Sequence, residues 1–131
     1  MKHFLFLLLI TFMILPAASA QLCEDTTVYR EADQKPKPPA DYRTVIQQQL
    51  RYPEPAKKNK YSGRVMLAFI VECDGSISNI TPEGSINDEN QASLATESIR
   101  VIRLLGPFTP AVNNGQPVRF LYRFPLDFRI E

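Results

Sequence analysis

Every second residue is apolar from Val118 to Ile130. A strict period of two predicts one long strand with a wet face and a buried, aromatic-rich face. Pro125 lies inside this strand, and because proline has no N–H for a ladder, it is confined to edge strands, strand starts or bulges. Proteins either blunt a long edge strand or use it to capture another chain, and this strand alone leaves both interpretations open.

Two further strands are predicted upstream of it. From Gly63 to Cys73 the chain alternates, but its middle is apolar on both faces, which is typical of a central strand. Asp74-Gly75 then predicts a hairpin turn, because that turn needs positive φ, and Ser76 to Thr81 forms the second strand. The first strand is therefore expected in the middle of the sheet.

The first predicted helix follows Asp41 and runs from Tyr42 to about Leu50, with its apolar residues on one face. The prolines at positions 53 and 55 end it, since residues before proline avoid helical φ and ψ. The lysines at 57, 58 and 60 that follow are typical of a solvated loop.

The second predicted helix begins after Asp88, which forms a capping-box pattern with Gln91, and runs to about Leu105. Gly106-Pro107 ends it. The resulting order of elements predicts an α+β fold, with two helices packed on a three-stranded antiparallel sheet and the strand of Pro125 at an outer edge.

The start of the chain predicts export. Lys2 and His3 precede an apolar run from Phe4 to Leu15, and small residues follow at 18–20, which is the pattern of a secretory signal peptide. We therefore expect residues 1–20 to be removed after Ala20, residues 21–40 to be a polar tail with a short Pro/Lys stretch, and residues 41–131 to form the domain. A lipid anchor on Cys23 is the alternative.

Charge and composition exclude several classes of protein. The chain has 15 basic and 14 acidic residues, and the loss of Lys2 balances them, so the basic excess of a nucleic-acid-binding protein is missing. His3, the only histidine, leaves with the signal peptide, and no nucleophile–base pair, metal-ligand set or phosphate-binding loop remains. We therefore expect no enzyme, cofactor, metal or small-molecule substrate, and expect Glu72 and Asp74 to be solvated.

Cys23 and Cys73 are the only cysteines. An oxidising compartment permits a disulfide between them, while a buried Cys73 and an unrelated thiol in the tail is the other interpretation.

Several short motifs occur in a fixed order. They are Tyr52-Pro53, Ala56, Gly63-x-Val65, Phe69-x-Val71, Asp74-Gly75, Ser76-x-Ser78-x-Ile80, Pro107-Phe108-x-Pro110-Ala111 and Gly115-x-Pro117-Val118. Together with the alternating end, this set resembles the TonB C-terminal domain family from Tyr42 to Glu131. The resemblance implies a periplasmic protein of a Gram-negative bacterium that is linked to TonB-dependent transport across the membrane.

The resemblance also implies a binding site. In the family, the last strand binds a short peptide of an outer-membrane receptor as an added strand, and here that strand is Val118 to Phe128. The family's stretch before Tyr-Pro, here Gln49-Leu50-Arg51, lies close to the same peptide. The residues expected to contact a receptor peptide or another envelope protein are Val118, Arg119, Phe120, Leu121, Tyr122, Arg123, Phe124, Gln49, Arg51 and Tyr52.

The chain departs from a TonB energy transducer in three respects. Its apolar segment has the pattern of a cleaved signal, its Pro/Lys stretch at 35–39 is too short to cross the periplasm, and Phe108 stands where the family often has tryptophan. These departures count against force transduction and leave the expectation of peptide or protein binding unchanged. An envelope protein that self-associates as an edge-strand homodimer, with no role in transport, is the alternative, and a transducer with a retained anchor is a third.

Overall fold

The computed structural model describes residues 23–130, which contain five strands and three helices. The strands are β1 (Val28–Tyr29), β2 (Gly63–Val71), β3 (Ile77–Pro82), β4 (Ala111–Asn113) and β5 (Gln116–Phe128). The helices are α1 (Tyr42–Gln49), α2 (Glu54–Lys58) and α3 (Glu89–Ile102).

The central strand of the sheet is β2, as its two apolar faces predicted. It pairs antiparallel with β3 on one side and with β5 on the other, and the β5 register runs without a shift from Gly63↔Phe128 to Val71↔Phe120. The strands follow the order β1-β5-β2-β3, with β1 parallel to β5, and β4 pairs with the first residues of β5. The α+β class is confirmed. Within the described residues the expected three strands are five, and β5 is an outer strand only beyond Phe120, because β1 pairs with Arg119 and Phe120 on its outer side.

The sheet is mixed rather than antiparallel throughout, and there is a third helix. This helix, α2, occupies the segment that was expected to be a loop. Proline is tolerated in the first turn of a helix, where its missing N–H has no partner to lose, so Pro55 starts the helix instead of preventing it. Ala56 is fully buried against the core, and that burial holds a helix whose lysines remain exposed.

The two predicted helices lie on one face of the sheet. The Asp88 carboxylate accepts a hydrogen bond from the Gln91 N–H at 2.8 Å, and the Gln91 side chain accepts one from the N–H of Asn87 at 2.8 Å. This reciprocal cap fixes the start of α3, which ends at Ile102 rather than near Leu105. Helix α1 has nearly the predicted bounds, but the Asp41 side chain makes no capping bond to it.

Residues 23–37, here called the strap, correspond to most of the predicted polar tail. The strap contains β1 and makes two further backbone-to-backbone contacts with the chain before β5. The backbones of Gln34 and Val112 exchange two hydrogen bonds of 3.0 Å, and those of Lys37 and Thr109 exchange another pair. The strap therefore packs along the β4–β5 hairpin instead of leaving the domain.

A disulfide joins Cys23 to Cys73, with Cα atoms 5.5 Å apart. It attaches the start of the strap to the chain just beyond the end of β2.

The predicted signal peptide of residues 1–20 lies outside the described residues. Within residues 23–130, none of the helices combines the length and the apolar character that a membrane crossing requires.

Gly75 lies in the predicted β2–β3 turn and has the expected positive φ, at 86°. Its carbonyl accepts a hydrogen bond of 2.9 Å from the N–H of Phe108, which brings the loop after α3 against the turn. A Cβ on Gly75 would overlap the Phe108 carbonyl oxygen, whereas Gly84, at φ 87°, has open space around it.

We predict that Gly75→Val lowers the melting temperature at least about 5 °C more than Gly84→Val does, the equivalent of roughly 1 kcal/mol. Both variants place a branched side chain at positive φ, so the backbone strain is matched and the overlap with Phe108 makes the difference. Thermal unfolding followed by circular dichroism measures it. Equal losses would mean that the Phe108 loop moves aside without cost.

Candidate functional site

The edge of β5 that faces away from β2 is only partly covered. Arg119 and Phe120 pair there with Val28 and Tyr29 of β1. From Leu121 to Phe128, the described part of the chain pairs no further strand on that side. We call residues 121–128 the open edge.

The backbone groups that face out of the open edge can be assigned from one hydrogen bond. The Met66 carbonyl accepts from the N–H of Glu83 at 2.8 Å, so the Met66 backbone faces β3. Met66 of β2 lies opposite Pro125 of β5. In an antiparallel ladder, two opposite residues either bond to each other or both direct their N–H and C=O groups away from each other. Because the Met66 groups face β3, the backbone groups of Pro125 face away from β2. The N–H that Pro125 lacks would therefore have faced outward, so the proline removes no bond between β5 and β2.

The alternation of a strand extends this assignment along the open edge. Arg123 and Asp127 lie two residues on either side of Pro125 and direct both N–H and C=O outward, while Pro125 offers a carbonyl alone. Leu121, at the border with β1, shares this orientation. The edge thus presents donors and acceptors at a regular spacing with one donor missing.

Aromatic side chains line the helical side of the open edge. The Tyr42 ring of α1 meets Phe124 edge to face with centroids 5.8 Å apart, and the Tyr52 ring meets Phe128 in the same way at 5.8 Å. Tyr122 is half-buried between Phe124 and the core, and this burial raises the pKa of its hydroxyl. Helix α1 and the residues after it therefore run beside the open edge.

Gln49 and Arg51 are held by backbone bonds to α3. The Gln49 carbonyl accepts from the Arg100 guanidinium at 2.7 Å, and the Arg51 N–H donates to the Glu97 carboxylate at 2.9 Å. Burial opposes ionisation of Glu97, but the hydrogen bonds from Arg100 and from the Arg51 N–H outweigh it and lower its pKa. The side chains of Gln49 and Arg51 stay exposed next to Tyr52.

Ion pairs cross the sheet face opposite the helices. Arg123 binds Glu83 beyond β3, Arg64 binds Asp127 at 2.6 Å, and Arg119 binds Glu72 at 2.7 Å. Ala68 and Ile70 lie on this face of β2 and are 8% exposed each. Arg123 is the β5 partner of Ala68, so its ion pair with Glu83 lies beside the second apolar face of β2.

Glu72 was expected to be solvated, and that expectation is wrong. Its carboxylate accepts two bonds from Arg119, at 2.7 and 3.1 Å, and one from the Ser78 hydroxyl at 2.7 Å. The Arg119 bonds are the main reason that the pKa of Glu72 lies below its ordinary value of 4.5. The alternation along the last strand places Arg119 on the exposed face. Its pairing with Glu72 follows only from the register between β2 and β5, which the sequence does not give.

The sequence-predicted contact residues thus fall into four groups. Tyr52, Tyr122 and Phe124 form the aromatic side of the open edge, and Leu121 and Arg123 belong to the edge itself. Gln49 and Arg51 lie at the end of α1. The remaining three lie where β4 or β1 already pairs with β5, namely Val118, Arg119 and Phe120.

Comparison with known proteins identifies the family. The family model described as Gram-negative bacterial TonB protein C-terminal matches residues 48–130, which is more than half of the chain. The chain belongs to the TonB C-terminal family. This confirms the resemblance carried by the ordered motifs.

A solved structure is also similar to the chain, and it is an NMR structure of the TonB C-terminal domain of Helicobacter pylori. The two chains are 22% identical with a TM-score of 0.47, and the match covers 70% of this chain and 78% of the other. No curated protein sequence matches the chain significantly.

Family membership makes the chain a TonB-like module linked to transport. TonB C-terminal domains are non-catalytic protein-interaction domains of the Gram-negative periplasm that contact outer-membrane receptors and envelope proteins. Residues 23–130 bring together no group of three or more His, Cys, Asp or Glu side chains that could hold a metal ion.

We predict that stability falls less steeply with acid when Glu72 is replaced. A carboxylate whose pKa is lowered by folding stabilises the fold above its unfolded pKa, and that contribution is lost as the pH falls through the lower, folded value. Between about pH 6 and pH 3, the unmodified chain should therefore lose more free energy of unfolding than Glu72→Gln does. Urea unfolding at several pH values measures both slopes. Glu31→Gln, at an exposed position, is the control, and identical slopes for all three chains would contradict the prediction.

Proposed function

We propose that this domain binds an extended peptide segment of an outer-membrane receptor, or of another envelope protein, by strand addition at the open edge of β5. The carrying observation is the outward orientation of the backbone groups of Arg123, Pro125 and Asp127. Main-chain hydrogen bonds would supply affinity, and side chains at alternate positions would supply selectivity. Binding of this kind would give the module its role in TonB-dependent transport.

The other outer strand supports docking less well. Strand β3 has a register shift opposite β2, Asn79 adopts a φ of 51°, and Pro82 ends the strand. Bulges, short length and proline are the means by which edges are protected from pairing. Strand β5, in contrast, keeps an unbroken register over its whole contact with β2. Of these two strands, β5 therefore offers a partner strand the more regular template.

The helical side of the open edge supplies the proposed selectivity. A strand added beside β5 would direct alternate side chains toward Tyr42, Tyr52 and Tyr122, where apolar or aromatic residues would lose exposed area. The exposed side chains of Gln49 and Arg51 lie at the end of this surface and would contact polar parts of the partner.

Self-association through the same edge is less well supported. A two-fold dimer requires each outward N–H to meet a carbonyl of the copy. Centred at Pro125, such a dimer would place two proline carbonyls opposite each other with no donor between them. A strand of another protein avoids this conflict, because its own sequence and register are not tied to Pro125.

We predict that Arg123→Pro weakens binding of synthetic receptor amino-terminal peptides at least about tenfold, or roughly 1.4 kcal/mol, relative to Arg123→Ala. Both variants remove the ion pair with Glu83, but only the proline removes the outward N–H. Stability should fall less than for Phe120→Ala, which removes a buried ring worth about 3–5 kcal/mol.

Amide exchange gives an independent readout of the same site. In the unmodified protein the N–H groups of Arg123 and Asp127 should exchange fast when free and slowly with peptide bound. Protection of both amides in the free monomer, or equal binding by the proline and alanine variants, would place the docking site elsewhere.

We also propose that the protein is exported to the periplasm by cleavage after Ala20. The intact mass of protein recovered from the periplasm should correspond to residues 21–131. A species that retains Met1, or that carries lipid on Cys23, would argue against the cleaved and lipid-free form.

A further inference from the structure

Strand β1 occupies the same edge of β5 that the proposed partner would use. It runs parallel to β5, with Val28 opposite Arg119 and Tyr29 opposite Phe120, and the open edge begins at the next residue. The Arg119 guanidinium also donates to the Thr26 carbonyl at 2.8 Å. The chain thus adds a short strand of its own to its proposed docking edge.

Two anchors hold this strand from its two sides. The disulfide to Cys73 fixes the chain five residues before Val28. On the other side, the Asp33 carboxylate accepts from the N–H of Asn114 at 3.0 Å, at the tip of the β4–β5 hairpin. Between the anchors, Tyr29 and Ala32 pack on a small cluster of buried side chains, namely Ala111, Val118 and Phe120.

The strand itself is weak. It contains two residues, and Val28 is 37% exposed. Isolated strands of this length have little stability of their own, so the position of β1 depends on its anchors. A tether of a few residues gives an attached segment an effective concentration on the order of mM, which is enough to fill a low-affinity site.

We infer that residues 26–29 are an internal competitor for the β5 edge, which accepts a parallel strand carrying an apolar pair such as Val28-Tyr29. The inference rests on the proposed function of this edge. With β1 in place, a partner strand is confined to residues 121–128. With β1 displaced, the edge available to the partner lengthens to include Arg119 and Phe120.

The test replaces the internal strand with one supplied in solution. Val28→Gly/Tyr29→Gly weakens β1 while the disulfide and the Asp33 anchor remain. The probe is a synthetic peptide with the sequence of residues 24–31. We expect it to bind this variant at least tenfold more tightly than it binds the unmodified chain and to slow amide exchange at Arg119 and Leu121. A peptide with glycine at both positions should not bind, and Arg30→Gly/Glu31→Gly should behave like the unmodified chain.

A second variant removes an anchor instead of the strand. Cys23→Ser/Cys73→Ser should raise amide exchange at Arg119 while the amides of β2 that face β5 remain protected. Peptide binding to the glycine variant and amide exchange in the serine variant test the inference independently, so one result suffices if the other variant folds poorly. Equal peptide affinity for variant and unmodified chain, or protection at β3 instead of β5, would overturn the inference. If receptor peptides still protect Arg123 and Asp127 in that case, the proposed function stands without it. If they protect neither residue while the 24–31 peptide does bind at Arg119, the competitor is real and the receptor-binding proposal fails.

Discussion

The continuous antiparallel pairing of β2 with β5 is the constraint on which the rest of this structure depends. It runs without a bulge over the whole of β2, and it fixes which side chains of β5 face the helices and which face the ion-pair layer. A slip of one residue would exchange the two sets, moving Phe124 and Phe128 from the core to the wet face. The same register turns the backbone groups of alternate residues outward. Core packing and the proposed docking edge are therefore two consequences of one alignment.

Much of this alignment is readable in the sequence because period-2 alternation is a local signal. The central position of β2 followed from its two apolar faces, and the unpaired outer side of β5 around Pro125 followed from that proline, whose missing donor excludes it from the paired side. The turn at Gly75 and the cap of α3 could also be predicted, because the turn depends on one residue with positive φ and the cap on the side chain of Asp88.

The elements that escaped prediction are those that distant contacts create. Helix α2 is short and rich in lysine and proline, and it is held by the burial of Ala56 and by the hydrogen bond from Asn59 to Asn90 of α3. Strands β1 and β4 have two and three residues, and they exist because β5 offers them a template. The Glu72–Arg119 pair spans 47 positions, so the register of the sheet and not the local pattern brings it together. For the same reason, sequence alone overestimated the open part of the edge.

The disulfide changes the route by which tension would travel through the molecule. If the chain were pulled experimentally at Cys23, force carried along the polypeptide alone would pass through the whole strap, separating β1 and then the pairs at Gln34 and Lys37 one at a time. The disulfide to Cys73 bypasses the strap, so the force would act directly on the residues after β2, which is the strand with neighbours on both sides. The weakly paired strap is thereby mechanically isolated, and the most strongly supported strand of the sheet bears the force.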